Sequence, residues 1–121
     1  MKTALIIEDN EDNWVLLSFI LEHAGYKAIV ATTGQEGYEM ALAQVPDFIL
    51  LDIQLPDING TDVLRMLRAS EVSKNIPVIA VTSFAMAGDR ERLLEAGCDG
   101  YIEKPVDPEK VVRQIQEVID G

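Results

Sequence analysis

The chain has 121 residues, 48% of them hydrophobic and 26% charged, which is enough to bury one core without metal or disulfide staples. Ten basic residues against twenty-one acidic ones leave a formal net charge of −11, which argues against direct binding to nucleic acid, because phosphate backbones require a basic face. No apolar run reaches the ~20 residues of a membrane span, and the start lacks the basic and apolar regions of a signal peptide. With Cys98 the only cysteine, no internal disulfide or cysteine-rich metal site can form, and a reducing cytoplasm is the expected compartment.

Short apolar runs alternate with helix-patterned stretches along the chain. Ala4-Leu5-Ile6-Ile7 comes first, and a continuous run of this kind suits a strand covered on both faces, as in a parallel sheet. A helix follows, with Leu17, Ile20, Leu21 and Ala24 at i, i+3, i+4 and i+7 and Gly25 as its stop. Ala28-Ile29-Val30-Ala31 reads as the second strand. Thr33-Gly34-Gln35-Glu36 is a capping box that opens a helix striped by Tyr38, Ala41, Leu42 and Val45 and stopped by Pro46. Phe48-Ile49-Leu50-Leu51 is the third strand, and Asn59-Gly60 leads into a helix carrying Val63, Leu64 and Leu67. Val78-Ile79-Ala80-Val81 is the fourth strand, followed by a helix with Leu93 and Leu94 before Ala96-Gly97. Gly100-Tyr101-Ile102-Glu103 is a weaker fifth strand. The last helix is capped by Asp107, has Pro108 in its first turn, and buries Val111, Val112, Ile115, Val118 and Ile119.

Five such βα units predict a doubly wound α/β sheet with right-handed crossovers. No linker or repeat interrupts them, and the final helix uses up the chain. A single domain over residues 1–121, with no output domain, is therefore expected.

In open α/β sheets, sites form outside the carboxyl ends of the strands. The residues that follow each apolar run are therefore the informative ones. The first strand ends in Glu8-Asp9, the third in Asp52, the fourth in Thr82-Ser83 and the fifth in Glu103-Lys104-Pro105. The second ends in Thr32-Thr33, an ordinary helix cap. Taken singly, a strand-end Asp is usually a cap, a Lys-Pro pair a turn, and a Thr a strand former. Their coincidence on one rim carries the signal. Carboxylates brought together there repel and need a counter-charge. A hard divalent cation such as Mg²⁺ supplies it and also binds phosphate oxygens. Adding Lys104 and Thr82 makes a site suited to phosphoryl transfer, with Asp52 as a carboxylate nucleophile.

The residues Ile7-Glu8-Asp9-Asn10, Leu51-Asp52-Ile53-Gln54-Leu55-Pro56-Asp57-Ile58-Asn59-Gly60, Val81-Thr82-Ser83 and Tyr101-Ile102-Glu103-Lys104-Pro105 together resemble the response-regulator receiver domain along the whole chain. Single-domain cell-division regulators and receivers of hybrid histidine kinases are the most similar kinds. The resemblance implies a flavodoxin-like (βα)5 fold with parallel strand order 2-1-3-4-5. It implies that Asp52 accepts a phosphoryl group from a histidine kinase or a histidine phosphotransfer protein. It implies Mg²⁺ held by Asp9, Asp52 and the Gln54 backbone carbonyl, with Glu8 acting largely through water. Thr82 and Lys104 would engage the phosphoryl oxygens, Tyr101 would move inward once Thr82 shifts, and the Lys104-Pro105 bond would be cis. The readout would be the surface of the fourth helix, fifth strand and fifth helix, meeting a downstream protein. A monomer or weak homodimer is expected, without nucleic acid or membrane contact.

Phe84 and Met86, in Ser83-Phe84-Ala85-Met86-Ala87-Gly88-Asp89, read either as a partner contact or as the top of the core. Phe84 is expected to shield the acyl phosphate from water, with Gln54 as an alternative positioner of that water. His23 reads as a solvated cation at a helix end, Cys98 as structural, and Trp14 as a core-facing residue near the acidic rim. Two rival classes exist. A haloacid-dehalogenase-type phosphohydrolase would carry a second Asp where Gln54 stands, and a cap domain. A scaffold that is never phosphorylated would have no need of Glu8, Asp9, Asp52, Thr82 and Lys104 together.

Overall fold

The computed structural model describes residues 1–83 and 87–120, with Ala87 and Gly88 described by backbone alone. Strands β1 (Thr3–Ile7), β2 (Lys27–Ala31), β3 (Phe48–Asp52), β4 (Val78–Thr82) and β5 (Gly100–Glu103) alternate with helices α1 (Glu11–His23), α2 (Gly34–Gln44), α3 (Gly60–Ala69), α4 (Ala87–Ala96) and α5 (Val111–Ile119). The strands form one parallel sheet in the order β2-β1-β3-β4-β5, the architecture and order the sequence implied.

Because side chains alternate across a strand, the continuous apolar runs feed two cores. Leu5, Ile7, Ile49, Leu51, Val78 and Ala80 pack under α2, α3 and α4 through Ala41, Val63, Leu64, Leu67 and Leu93. Ala4, Ile6, Phe48, Leu50, Ile79 and Val81 pack under α1 and α5 through Leu17, Leu21, Val111 and Ile115. Every residue of β3 and β4 is buried. The β1–β2 crossover through α1 lies on one face and the later crossovers through α2, α3 and α4 on the other, so the connections leaving β1 and β3 diverge, and a crevice opens at the carboxyl ends of those two strands.

Several boundaries differ from the sequence reading. Val45 lies beyond α2 in a left-handed conformation (φ 43°) and is exposed. Pro46 cannot continue the helix, so the chain turns one residue earlier than the apolar stripe implies. Ala24 is an exposed C-cap, and Gly25, at φ 96°, makes the turn into β2. Leu93 is buried while Leu94 faces out. The capping-box residue Glu36 has its backbone N–H held by the Thr33 hydroxyl, but its carboxylate accepts from Thr32 N–H instead of Thr33. The final helix starts at Val111 rather than Asp107. Asp107 caps the preceding turn, accepting from Glu109 N–H at 2.9 Å through its side chain and from Lys110 and Val111 N–H through its carbonyl.

No described helix is long and apolar enough to cross a membrane.

Candidate functional site

The apolar part of β1 ends at Ile7, and Glu8 N–H still pairs with the Ala31 carbonyl at 3.0 Å. This pairing extends the sheet edge just far enough to turn Glu8 into the crevice, with 2% of its surface exposed. Asn10 then caps α1, its side chain accepting from Asn13 N–H at 3.1 Å, and Asp9 is left exposed between strand and helix. Asp52 is the last residue of β3 and is 4% exposed. Carboxylate oxygens of Glu8, Asp9 and Asp52 all lie within 4.8 Å of one another. This is the grouping expected from the strand ends.

Lys104 follows β5 and reaches back over the rim. Its Nζ stands 3.0 Å from Glu8 Oε1 and 3.2 Å from Asp52 Oδ1. The backbone delivers it there, because Lys104 N–H bonds the Thr82 carbonyl at 2.8 Å and the Lys104-Pro105 peptide is cis. Thr82 ends β4 opposite Glu103 and is buried, while Ile53 N–H pairs with the Val81 carbonyl, so the ends of β3 and β4 stay joined. Gln54 N–H donates to Asp52 Oδ1 at 3.1 Å, which sets the Gln54 backbone against the carboxylate.

The electrostatics follow from burial and crowding. Burial pushes the Glu8 carboxyl above its ordinary value, the neighbouring Asp52 carboxyl pushes it further, and Lys104 opposes both. For Lys104, burial is the largest single influence and favours the neutral amine. The bond to Glu8 and the charges of Asp52 and Glu8 together outweigh it, so the ammonium is held above its ordinary value. One ammonium against three carboxylates leaves the rim net negative. An all-oxygen donor set of this charge and spacing fits a hard divalent cation of the Mg²⁺ kind.

Tyr101 is half-buried and packs against the same core face as its register partner Ala80. Thr82, two residues beyond Ala80, projects from that same face. Arg90 of α4 covers the ring, its guanidinium carbon 4.4 Å from the centroid. Phe84 and Met86 lie outside the described residues. His23 is exposed and stacks on Phe19, away from the acids, and Cys98 is buried in the core.

Three contributors escaped the sequence reading. Asn13 donates its side-chain amide to Glu8 Oε1 at 3.1 Å, and Asn10 N–H reaches Glu8 Oε2 at 3.3 Å. Arg90 is the third. The Asn-x-x-Asn spacing at the start of α1 was a usable signal, since a residue in the first turn faces back toward the strand end; Arg90 had none. A cleft of about 350 Å³ between α1 and the β5–α5 connection opens onto Glu8, Asn13 and Lys104 and is walled by Leu16, Leu17 and Val106. A larger one, about 560 Å³, runs between α3 and α4 and meets the site at Thr82 and Ile53. The smaller cleft is the one that reaches the acids.

Comparison with known proteins agrees with this geometry. The family model for the response regulator receiver domain matches residues 4–116. The polar-differentiation response regulator DivK of Brucella ovis is 42% identical over 118 residues, which is 98% of this chain and 96% of that protein. The receiver domain of the sensor histidine kinase PA1611 from Pseudomonas aeruginosa, solved with magnesium in its active-site cleft, superposes with a TM-score of 0.90 at 33% identity, covering 99% of this chain and 98% of that one. A CheY-like receiver domain from Methanospirillum hungatei gives a TM-score of 0.89 at 33% identity, covering 99% and 94%. These relatives are signalling domains rather than members of a catalytic enzyme family. The chain belongs to the response regulator receiver-domain family of two-component phosphorelay signalling.

Proposed function

We propose that Asp52 is the phosphoacceptor of this receiver domain and that residues 1–121 act as one domain whose output is protein contact. The observation that carries this reading is the approach of Lys104 Nζ to within 3.2 Å of Asp52 Oδ1, inside a cluster whose other carboxylates are Glu8 and Asp9. An Asp52 oxygen attacks the phosphorus of a phosphohistidine. The new P–O bond forms as the P–N bond breaks, and the electron pair departs with the imidazole. Lys104 steadies the transferred oxygens as charge gathers on them, and Thr82 offers its hydroxyl from the end of β4. Asp9, Asp52 and the Gln54 carbonyl would hold Mg²⁺, with Glu8 acting through water; when bound, the ion neutralises the rim and ligates the incoming phosphoryl group.

Phosphorylation adds nearly two charges and three acceptor oxygens. Drawing Thr82 toward them empties the space beside Tyr101 on their shared sheet face, and the ring turns inward, altering the surface of α4, β5 and α5. The donor is a histidine kinase or a histidine phosphotransfer protein, met in the cytoplasm. The outer face of α1 supports a docking role: Val15, Leu16 and Phe19 are 47%, 39% and 69% exposed, and Leu16 also lines the cleft that opens onto Glu8, while Val15 and Phe19 line a separate groove with Trp14.

The test is acetyl phosphate with Mg²⁺, followed by intact mass. Wild type gains one phosphoryl group and Asp52→Asn gains none. Equal labelling of the two proteins assigns the acceptor elsewhere, and no labelling of wild type favours a scaffold that is never phosphorylated.

A further inference from the structure

The loop after Asp52 is tied down at both ends. At its base, Gly60 N–H bonds the Ile53 carbonyl at 2.9 Å, and a Cβ on Gly60 would fall 2.5 Å from Ile53 Cα, so α3 starts directly on the backbone that follows the acceptor. At its tip, Asp57 leaves its own unit and caps a different helix. Its Oδ1 accepts from Gly34 N–H at 2.8 Å and its Oδ2 from Gln35 N–H at 3.0 Å, across 23 and 22 residues of chain. The seat is close: a Cβ on Gly34 would fall 2.8 Å from Val63 Cγ2, 3.2 Å from Ile58 Cβ and 3.3 Å from Asp57 Oδ1. Those two amides hold the Asp57 carboxyl below its ordinary value, Gln35 contributing most.

The first turn of α2 already has a cap of its own, since the Thr33 hydroxyl takes Glu36 N–H at 3.1 Å. Asp57 therefore adds something besides helix capping. It spans the loop 54–59, whose first residue, Gln54, lies with its N–H on Asp52 Oδ1. Leu55 and Ile58 of this loop lean on the core, but apolar packing without a directional bond leaves the backbone several states, some of which displace Gln54 from the acceptor. A second anchor removes that freedom.

We propose that Asp57 is a positioning residue for the site at Asp52: by clamping the β3–α3 loop to the α2 N-terminus it holds the Gln54 backbone in register with the acidic rim, and it carries the state of that rim to α2. The proposal rests on the reading of Glu8, Asp9, Asp52 and Gln54 as the Mg²⁺ site. It gives the domain a second responsive surface, on the face of the sheet occupied by α2, separate from the one at α4, β5 and α5.

Magnesium titration by calorimetry and by amide NMR tests it without any phosphoryl transfer. In wild type, the Gly34 and Gln35 amide resonances shift with the same midpoint as that of Ile53. Asp57→Ala binds Mg²⁺ about tenfold more weakly, the scale typical when a residue supporting a metal ligand is removed, and the Gly34 and Gln35 response disappears. Asp57→Asn keeps one carbonyl acceptor for one of the two amides and falls between. Thr33→Ala, which loosens the same helix without touching the clamp, binds Mg²⁺ like wild type. Wild-type affinity in Asp57→Ala, or equal weakening in Thr33→Ala, overturns the proposal. Unaltered Mg²⁺ binding by Asp52→Asn instead overturns the site reading on which it depends, and the proposal with it.

Discussion

Arg68 and Asp99 meet at 2.8 Å on the edge of the sheet opposite the acidic rim, and the same Asp99 oxygen accepts from Val78 N–H at 2.8 Å. Arg68 also donates to the carbonyls of Gly97, Lys74 and Ile76. One side chain from the end of α3 thus satisfies the α3–β4 loop, the end of α4 and the start of β5. The ion pair itself, half-exposed on the Asp99 side, contributes little; the carbonyls that would lose their donor matter more. Arg68→Ala should cost about 2–3 kcal/mol in urea unfolding, whereas Asp99→Asn, which keeps an acceptor for Val78 N–H, should cost under about 1 kcal/mol. Neither should alter Mg²⁺ affinity, because the connection lies at the far ends of the strands. A larger loss from Asp99→Asn than from Arg68→Ala would show that the ion pair, not the carbonyl bonds, dominates.

Gly60 and Gly37 both lack room for a methyl group, for different reasons. At Gly60 the obstacles are backbone, Ile53 Cα at 2.5 Å and the Asp52 carbonyl at 2.8 Å. At Gly37 they are the atoms of one side chain, with Ile7 Cδ1 at 2.5 Å. Gly60→Ala should therefore lose about 3 kcal/mol and weaken Mg²⁺ binding, while Gly37→Ala should lose about 1–2 kcal/mol in wild type and little in an Ile7→Ala background, which removes the Cδ1, Cγ1 and Cγ2 atoms that crowd the site. Thermal melts of the glycine variants, of Ile7→Ala and of the Gly37→Ala/Ile7→Ala pair decide this. No recovery in the pair would mean that the helix backbone, not Ile7, sets the limit.

Glu8 makes the pH dependence specific. Its folded carboxyl is raised, first by burial and then by Asp52, so the native state binds a proton more readily than the unfolded chain does. Ionised Glu8 therefore opposes folding at neutral pH, and the penalty fades as pH falls through the raised value. Glu8→Gln should melt higher than wild type by about 4 °C at neutral pH without Mg²⁺, the shift that about 1 kcal/mol produces in a domain of this size. The gap should narrow on acidification and on adding Mg²⁺, which stabilises wild type more. If Glu8→Gln melts lower at every pH, its bonds to Asn13 and Lys104 outweigh the crowding.

The α1 face separates donors. Phe19→Ser should slow phosphoryl transfer from a histidine phosphotransfer protein by about tenfold, the scale of losing one well-buried aromatic contact at an interface. Labelling by acetyl phosphate, which needs no docking face, should stay at the wild-type rate. Stopped-flow traces with both donors make the comparison. Equal slowing with the two would place the defect in the site instead of the interface.

Much of this protein was legible in its residues because a parallel sheet simplifies the problem. Ile6-Ile7, Leu50-Leu51 and Ala80-Val81 announce strands by unbroken apolar character, and Tyr101-Ile102 announces one more weakly. Since all the strands run the same way, whatever follows them must share one edge. Glu8, Asp9, Asp52, Thr82 and Lys104 were found by that rule before any distance was known, and each lies at that edge. Helix ends were read less well. At Val45 the apolar period continues through a residue whose backbone has already turned, and at Asp107 the cap signal stands four residues before α5 begins to wind at Val111.

What only the tertiary structure decided is how those groups meet and what holds them. The double approach of Lys104 to Glu8 and Asp52, the Arg90 cover on Tyr101, the Arg68 hub and the Asp57 clamp join residues from different βα units. Composition and periodicity describe a residue's own element and the face it occupies. A hydrogen bond across 23 residues depends on how two elements are packed, and that is set by the sum of all core contacts rather than by either residue's neighbours in the chain.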